Sequence, residues 1–424
     1  MRGRSLQQLD ITGIQIPYHF RCPISLELMT DPVTVITGQT YDRSSIESWI
    51  ATKNTTCPVT RLPLTNFTLI PNHTLRRLIQ EWCVKNKSYG VQRIPTPKQP
   101  ADANTVSSLL KQTSVENSRH VRLTALKRLK NLARDTDKNR LVIASTRGAC
   151  EMLLNVMFND DAWCNVSDEM DTLQHEALAV LSLLPLSESE CLNISSDSDK
   201  VSYLVNLLSN SLIDVRINSA AVLETVITGT SPELKLKITR HDAIFDGVVS
   251  VLDYQLPCPR ASRALKIGVK ALFALCMVKQ HRHKAVEAGA AAVLIDRLPD
   301  FEKCDAERAL ATVELLCRTP SGCEAFASHA LTVPLLVKMI LKVTDRATEY
   351  AAGALLSLCT AVERLQKEAV AAGVLTQLLL LVQSECTSRA KRKAQMLLKL
   401  LRKSWPGNSV LDSSGFACSD VVLF

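Results

Sequence analysis

The chain has 424 residues, of which 46% are hydrophobic, 22% charged and only 4% aromatic. This length predicts two or three domains with ample chain to bury a core, which excludes a wholly disordered protein. Because aromatic residues are scarce, we expect mostly helix and exclude a large aromatic-rich β architecture. The formal charge of +8 is modest, and alone it does not indicate a nucleic-acid-binding protein.

Neither export nor membrane insertion is expected. The first ten residues carry Arg2 and Arg4 with no apolar run behind them, unlike a secretory signal. The longest apolar stretch, 369–382, has 14 residues, fewer than the roughly 20 that span a bilayer. The 14 cysteines are scattered without Cys-x-x-Cys spacing, which favours free thiols in a reducing compartment. We therefore expect a cytoplasmic protein; the nucleus and peripheral attachment to a membrane stay open.

The first 90 residues have the pattern of a small α+β unit. Residues 32–36 are rich in β-formers, Thr37-Gly38 is a two-residue turn, and residues 39–41 return as a second strand. The sequence Ser44-Ser45-Ile46-Glu47 predicts a capping box that opens a short helix containing Trp49.

A second predicted helix follows Asn72. Its apolar residues recur at i, i+3, i+4 and i+7, as Leu75, Leu78, Ile79 and Trp82. Three prolines between residues 95 and 100 then favour an extended spacer. The sequence therefore predicts a domain over 15–89 and a Pro-rich linker over 90–103.

The remaining chain contains internal repeats. A small-Gly-apolar pattern precedes an apolar run, and three clear and three weaker copies are centred on Gly148, Asp199, Asp242, Gly289, Ala330 and Gly373. The intervals of 51, 43, 47, 41 and 43 residues bracket the armadillo or HEAT period of about 40 to 47. Each interval holds an Ala/Leu-rich helix that cannot bury its apolar face alone. We predict an all-α armadillo-repeat solenoid over 104–403 and a flexible tail over 404–424.

Two polar segments interrupt this rhythm. Residues 159–171 are acidic, and residues 187–200 are rich in Ser and Asp. Both are predicted to be loops between repeats. The second segment has the composition of a phosphate acceptor and equally that of a plain solvated loop.

The Cys-Pro pairs of the first domain suggest a zinc-binding RING, but the ligands are too few. A two-zinc cross-brace needs about eight paired Cys/His ligands, whereas residues 1–90 contain only Cys22, Cys57, Cys83, His19 and His73. In a RING-like fold, hydrogen bonds and ion pairs must then replace the metal. The candidates for this role are Asp31, Asp42, Arg43, Ser44 and Asn72. We expect neither a metal nor another cofactor.

The residues that carry a family resemblance lie in this first domain. Residues 16–33, with Cys22-Pro23-Ile24-Ser25, and the later stretches 37–43, 57–60 and 69–75 resemble a U-box in unbroken order. A U-box followed by armadillo repeats resembles the plant U-box ubiquitin ligases. The resemblance implies a RING-like, metal-free α+β domain. Its structural residues would be Cys22, Pro23, Asp31, Pro32, Gly38, Tyr41, Asp42, Cys57 and Asn72.

The resemblance also implies a ubiquitin-protein ligase that forms no covalent ubiquitin intermediate. A ubiquitin-conjugating enzyme charged with ubiquitin would dock through Ile24, Trp49 and Pro58, and Arg61 would position the ubiquitin. Each residue also has a plain structural interpretation: loop packing for Ile24 and Pro58, core burial for Trp49, and a solvated cation at Arg61. No cysteine has the His/Asn company of a thioester-forming nucleophile.

Protein substrates are expected on the armadillo repeats, whose third helices line a groove for an extended peptide or a helix. Asn218 is a weak candidate for this groove, and it is as readily a helix-end or solvent-facing amide. The charge is +4 over 1–89, zero over 90–384, +6 over 385–403 and −2 over the rest. A neutral solenoid body favours protein targets, and we expect no nucleic acid.

Other functions remain as alternatives. The first is a non-catalytic armadillo scaffold, against which the joint retention of Ile24, Pro58 and Arg61 argues. A nucleic-acid- or lipid-binding solenoid would rest only on the basic cluster Arg389, Lys391, Arg392 and Lys393. Self-association stays open. The resemblance also implies a role in plant stress and immune responses.

Overall fold

The computed structural model describes residues 16–52, 54–89, 91, 101–158, 171–255 and 259–404. The chain divides into two compact units, Met1–Gln99 and Pro100–Phe424. Three predicted segments lie mostly outside the described residues. They are the linker over 90–103, the acidic segment over 159–171 and the tail over 404–424.

The first unit is a three-stranded antiparallel sheet with two helices. Its elements are β1 (Pro32–Thr34), β2 (Thr40–Asp42), α1 (Arg43–Ala51), β3 (Ile70–Pro71) and α2 (His73–Lys85). The strand order is β2-β1-β3, and Val33 of the central strand pairs with Tyr41 and Pro71. The predicted hairpin is confirmed. Gly38 supplies the left-handed conformation of its turn, with φ of 80°.

The helices of this unit begin at polar residues. Asn72 caps α2 as predicted, because its side chain accepts the Leu75 N–H at 3.0 Å. The predicted capping box at Ser44 is wrong: α1 already begins at Arg43, with Asp42 as its N-cap. The Ser44 hydroxyl donates to the Asp42 carboxylate at 2.7 Å, so that it does not cap the helix.

The small core lies between the sheet, the helices and two loops. Ile79 and Cys83 of α2 are fully buried, whereas Leu78 is 44% exposed. The predicted apolar stripe is therefore confirmed for Ile79, and for Leu75 and Trp82, which are partly buried against the same core, but it is wrong for Leu78. Cys83 is a further buried residue of α2. The other buried members are Cys22, Met29, Val33, Val35, Tyr41, Ile46, Cys57, Leu64 and Val91.

The second unit is helical throughout its described part. It opens with a helix pair, α3 (Ala103–Gln112) and α4 (Arg119–Asp135), and six helix triplets follow. The first helices of the triplets are α5 (Asp137–Ser145), α8 (Glu188–Ser195), α11 (Pro232–Ile238), α14 (Arg282–Glu287), α17 (Pro320–Ser328) and α20 (Glu363–Ala371). The second helices are α6 (Ala149–Phe158), α9 (Ser198–Leu207), α12 (Ala243–Leu252), α15 (Ala290–Arg297), α18 (Thr332–Met339) and α21 (Val374–Gln383). The third helices are α7 (Asp171–Leu181), α10 (Ile213–Gly229), α13 (Pro259–Cys276), α16 (Lys303–Leu316), α19 (Asp345–Ala361) and α22 (Ser388–Leu401).

The third helices form a ladder. Together with α4 they pack side by side in chain order, from α4 to α22. Their first residues lie roughly 42 to 52 residues apart, close to the armadillo period. One continuous apolar core runs from Val106 to Leu401 beneath this ladder. The predicted armadillo solenoid is therefore confirmed, and the name third-helix ladder is used for this row below.

The small-Gly-apolar pattern marks the turn between first and second helices. Gly148, Gly289 and Gly373 have φ of 75°, 83° and 83°, a region that glycine adopts without strain. The two helices that flank Gly148 are bent by 85° relative to each other, and the two that flank Gly373 are bent by 79° relative to each other. These bends break up the apolar stretches, and within the described residues no single helix is long and apolar enough to cross a membrane.

The Ser/Asp-rich segment over 187–200 is not a loop, and that prediction is wrong. It forms α8 and the start of α9, and Ser187 opens α8 with a capping box completed by Glu190. Cys191 and Ile194 are buried. These two residues lie three apart on one face of the short helix, and Ser195 is buried beside them.

Candidate functional site

Two loops of the first unit have the same conformation. In loop A (Cys22–Glu27) the Cys22 N–H donates to the Glu27 carbonyl at 2.8 Å, and in loop B (Cys57–Leu62) the Cys57 N–H donates to the Leu62 carbonyl at 2.8 Å. The fifth residues, Leu26 and Arg61, have left-handed φ of 62° and 60°. Such values cost a non-glycine residue roughly 1 to 2 kcal/mol. The repeated Cys-Pro-aliphatic-hydroxyl sequence thus encodes two equivalent loops.

The cysteine side chains hold these loops from inside. The Asp42 N–H donates to Cys22 Sγ at 3.3 Å, and the Thr37 hydroxyl donates to Cys57 Sγ at 3.3 Å. The Tyr41 hydroxyl is hydrogen-bonded to Cys57 Sγ at 2.9 Å and accepts the Val59 N–H at 3.2 Å. A buried phenol therefore joins β2 to loop B.

The electrostatics of the two thiols follow from these hydrogen bonds. Burial acts to raise the pKa of the Cys57 thiol, but hydrogen bonds from Thr37, Thr60 and Tyr41 outweigh it and lower the pKa from 9.0 to about 6. The pKa of Cys22 is also lowered, because backbone hydrogen bonds outweigh its burial. Burial and the neighbouring Cys57 raise the pKa of Tyr41. In a zinc-binding domain a cysteine thiolate would bind the metal. Here both sulfurs accept hydrogen bonds instead.

Carboxylates pin the chain between loop A and the sheet. Asp42 Oδ1 accepts the backbone N–H groups of Thr30 and Asp31 at 2.8 and 2.9 Å. The Asp31 carboxylate forms ion pairs with Arg43 at 2.7 Å and Arg76 at 3.5 Å. The ion pairs therefore hold the residue before β1 against α1 and α2. In the described part of the chain no three His, Cys, Asp or Glu residues are grouped to hold a metal ion.

The remaining predicted structural residues lie in the same region. Asn72 donates to the hydroxyls of Thr34 and Thr40 at 3.4 Å each, and it thereby links β1 and β2 to the start of α2. Pro32 is buried at the start of β1, and its carbonyl accepts the Asn72 N–H at 2.8 Å. Pro23 is half-buried in loop A.

The predicted docking residues lie on the two loops and on α1. Ile24, Trp49 and Pro58 are half-buried, and Arg61 is exposed. Trp49 Nε1 donates to the Thr56 carbonyl at 2.9 Å, so that the indole connects α1 directly to the residue that precedes loop B. Ile24 and Trp49 therefore pack partly against the core and leave another part in solvent.

One exposed apolar residue escaped the sequence prediction. Val59 occupies in loop B the position that Ile24 occupies in loop A, and it is 50% exposed. The signal that identifies it is the repeated Cys-Pro-aliphatic pattern, which appears at both loops. Two further exposed side chains, Leu26 at 71% and Leu62 at 56%, extend the apolar surface of the loops.

Asn218 is neither at a helix end nor facing solvent. It lies in α10, 4% exposed, and its Oδ1 accepts hydrogen bonds from the Ser182 hydroxyl at 3.0 Å and from Arg263 at 2.7 Å. Its amide oxygen therefore links neighbouring helices of the ladder.

A second cross-ladder contact lies near the C-terminal end. Lys393 of α22 donates to Glu314 Oε1 of α16 at 2.8 Å, and the two side chains meet over Gly353 of the intervening α19. A Cβ at position 353 would lie 2.4 Å from Glu314 Oε1. The glycine thus leaves the space in which the ion pair forms.

Comparisons with known proteins agree with both units. The family model "U-box domain" matches residues 16–88, and the model "Plant U-box protein ARM repeat region" matches residues 105–421. The chain is 60% identical over 426 residues to U-box domain-containing protein 26 of Arabidopsis thaliana, with 99% of each chain covered. It is 35% identical over 408 residues to the Arabidopsis thaliana protein named E3 ubiquitin-protein ligase PUB23, covering 94% of this chain and 95% of that relative.

A solved structure shares the fold. An engineered protein known from its crystal structure aligns with a TM-score of 0.52 at 19% identity, covering 80% of this chain and 76% of that chain. At this identity the likeness concerns the fold alone. The family models and the relatives carry the assignment further. The chain belongs to the plant family of U-box proteins with an armadillo-repeat region.

Proposed function

We propose that this protein is a ubiquitin-protein ligase that recruits a charged ubiquitin-conjugating enzyme through its first unit and a protein substrate through its armadillo unit. The observation that carries the proposal is the pair of equivalent loops, which present apolar side chains beside Trp49 and an exposed Arg61. The name of the 35% identical relative, a ubiquitin-protein ligase, supports the same activity.

Docking is assigned to the apolar side chains of the loops and α1. Ile24 of loop A and Pro58 and Val59 of loop B are partly exposed, and Trp49 joins α1 to loop B. Rigid apolar anchors at the centre of a small interface contribute most of its binding free energy. Because hydrogen bonds of Cys22, Cys57 and their loops fix the backbone, little conformational entropy is lost when the enzyme binds.

Arg61 is assigned to the ubiquitin that the conjugating enzyme carries. Its side chain is exposed, and among the described residues it has no hydrogen-bond or ion-pair partner. A guanidinium can donate to two carbonyl groups at once, and so hold a mobile ubiquitin in one orientation. The substrate lysine amine then attacks the thioester carbonyl, the isopeptide bond forms, and the cysteine of the conjugating enzyme leaves as thiolate.

A covalent intermediate on this U-box is not part of the proposal. Cys22, Cys57 and Cys83 are each 0% exposed, and a thioester-forming nucleophile must reach the incoming carbonyl. We therefore propose direct transfer from the conjugating enzyme to the substrate lysine, and to lysines of this chain.

The test is a reconstituted reaction with activating enzyme, a panel of conjugating enzymes and ubiquitin. Ile24→Ala and Arg61→Ala should reduce self-ubiquitination roughly tenfold or more. The matched control is Ile36→Ala, an isoleucine that is 53% exposed on the β1–β2 turn; it should retain activity. A zinc chelator should leave the wild type active. Full activity of Ile24→Ala, or no transfer by the wild type with any enzyme of the panel, would contradict the proposal.

A further inference from the structure

The last second helix of the array, α21, exposes a leucine at a position that is buried in the second helices before it. The helices α12, α15, α18 and α21 begin at the N-caps Asp242, Gly289, Leu331 and Gly373. The sixth residue after the N-cap is 1% exposed in α12 (Val248), 0% in α15 (Ile295) and 4% in α18 (Val337). In α21 the same position is Leu379, and it is 52% exposed.

The next residue of α21 enlarges this apolar surface. Leu380 is 50% exposed, whereas the corresponding residues of α15 and α18 are Asp296 and Lys338, both exposed and charged. Leu379 and Leu380 together are called the α21 patch below. The end of a repeat array needs a polar outer face, which two adjacent exposed leucines do not provide.

In the preceding repeats, the first helix of the following triplet packs on this side of the second helix. The second helices α12, α15 and α18 pack against the first helices α14, α17 and α20 respectively. No first helix follows α22 in the described residues, which end at Ser404. The last described turn, Arg402–Ser404, packs against α20, much as α17 packs against α14. The chain that leaves α22 therefore turns to the side on which a further first helix would pack.

The segment that follows, 405–424, has the composition to cover the α21 patch. Its large apolar residues are Trp405, Val410, Leu411, Phe416, Val421, Val422, Leu423 and Phe424. Its only charged side chains are those of Asp412 and Asp420, whereas 385–403 has seven basic residues and one acidic residue. Three of these basic residues are exposed on α22, namely Arg389, Arg392 and Lys399. The segment and this end of the array are thus complementary in apolar surface and in charge.

We propose that residues 405–424 pack over Leu379 and Leu380 and close the C-terminal end of the array in place of a further triplet. A segment joined to α22 has a high effective concentration at this surface, whereas a second copy or another protein must bind from solution. The family model of the armadillo region also extends to residue 421, and so includes most of the segment. The proposal assigns a place to a segment whose sequence alone predicts a flexible tail, and it does not depend on ligase activity.

The first test is photo-crosslinking in the full-length protein. Leu380→p-benzoylphenylalanine places a photoreactive side chain on the α21 patch, and isotope-labelled and unlabelled copies are mixed before irradiation. Trypsin releases residues 404–424 as one peptide, because no Lys or Arg follows Lys403. We expect crosslinks between α21 and this peptide within a single copy of the chain.

The matched control is Leu212→p-benzoylphenylalanine. Leu212 is 57% exposed and precedes α10 in the second triplet, so it should not crosslink to 404–424. Crosslinks that join labelled to unlabelled copies would show that a second copy covers the α21 patch, and would overturn the proposal. No crosslink from position 380 to 404–424, or an equal yield from position 212, would overturn it as well.

Hydrogen exchange on the full-length protein gives an independent measurement. In the wild type, residues 405–424 should exchange more slowly than a free peptide of the same sequence. Leu379→Asp should accelerate this exchange roughly tenfold or more, because a carboxylate is unfavourable beneath an apolar segment, whereas Leu212→Asp should leave it unchanged. Exchange of 405–424 at the rate of the free peptide, or exchange that Leu379→Asp does not alter, would contradict the proposal. Should Leu379→Asp unfold the armadillo unit, seen as fast exchange throughout its helices, the crosslinking result decides alone.

Discussion

The buried hydroxyl of Tyr41 offers a sharp test of how the metal-free loops are held. The Tyr41 side chain is fully buried, and its oxygen accepts the Val59 N–H at 3.2 Å while contacting Cys57 Sγ at 2.9 Å. Tyr41→Phe preserves the ring but leaves the Val59 N–H without a partner. An unsatisfied buried donor costs about 1 to 3 kcal/mol, and the lost contact to sulfur adds roughly 0.5 to 1 kcal/mol.

We therefore expect Tyr41→Phe to lower the free energy of unfolding of the first unit by about 2 to 3 kcal/mol. In a domain of this size that corresponds to a fall in Tm of roughly 8 °C or more. Hydrogen-exchange mass spectrometry on the full-length chain should show faster exchange in loop B. The control is Tyr18→Phe, because Tyr18 is 84% exposed. Wild-type stability and unchanged exchange in Tyr41→Phe would refute the role of this hydroxyl.

Three further predictions follow from the backbone, the ladder and the thiols. Arg61→Gly should stabilise the first unit by roughly 0.5 to 1 kcal/mol in chemical denaturation, because it relieves a φ of 60°, yet it should reduce ubiquitin transfer; reduced stability would contradict the strain. Gly353→Ala should destabilise the armadillo unit by roughly 2 to 4 kcal/mol, because its Cβ displaces the Glu314 carboxylate, whereas an unchanged Tm would show that the pair is dispensable. The folded-state pKa of Cys57 lies below its ordinary value of 9.0, at about 6, so its contribution to stability is complete above pH 9 and is lost as the pH falls towards 6. Denaturation between pH 6 and 9 should show this slope in the wild type and not in Cys57→Ser.

Much of the architecture could be predicted because local sequence and fold agree. The Thr37-Gly38 turn between two β-rich stretches predicts the hairpin, and Gly38 indeed has the positive φ that the turn requires. The small-Gly-apolar pattern predicts the repeat period because glycine is favoured where a first helix turns sharply into a second. Gly148 and Gly373 occupy such turns.

The errors arose where composition or a short motif does not show what a side chain contacts. Ser44 resembles a helix cap, but the Asp42 carboxylate takes its hydroxyl, and Asp42 also accepts N–H groups from the chain before β1. Residues 187–200 are rich in Ser and Asp although they form α8, so composition hides its three buried residues, Cys191, Ile194 and Ser195. The burial of Asn218 depends on Arg263, which lies 45 residues further along the chain; no local pattern contains that contact.

The central claim is that the loops act by docking a charged conjugating enzyme and orienting its ubiquitin. It is tested most directly by single-turnover discharge, in which a purified conjugating enzyme carrying thioester-linked ubiquitin is mixed with free lysine and the full-length chain. We expect that the wild type accelerates loss of the thioester, that Ile24→Ala and Arg61→Ala do not, that Ile36→Ala does, and that no thiol-reducible ubiquitin adduct forms on the chain. A reducible adduct, or equal acceleration by Ile24→Ala and Arg61→Ala, would contradict it.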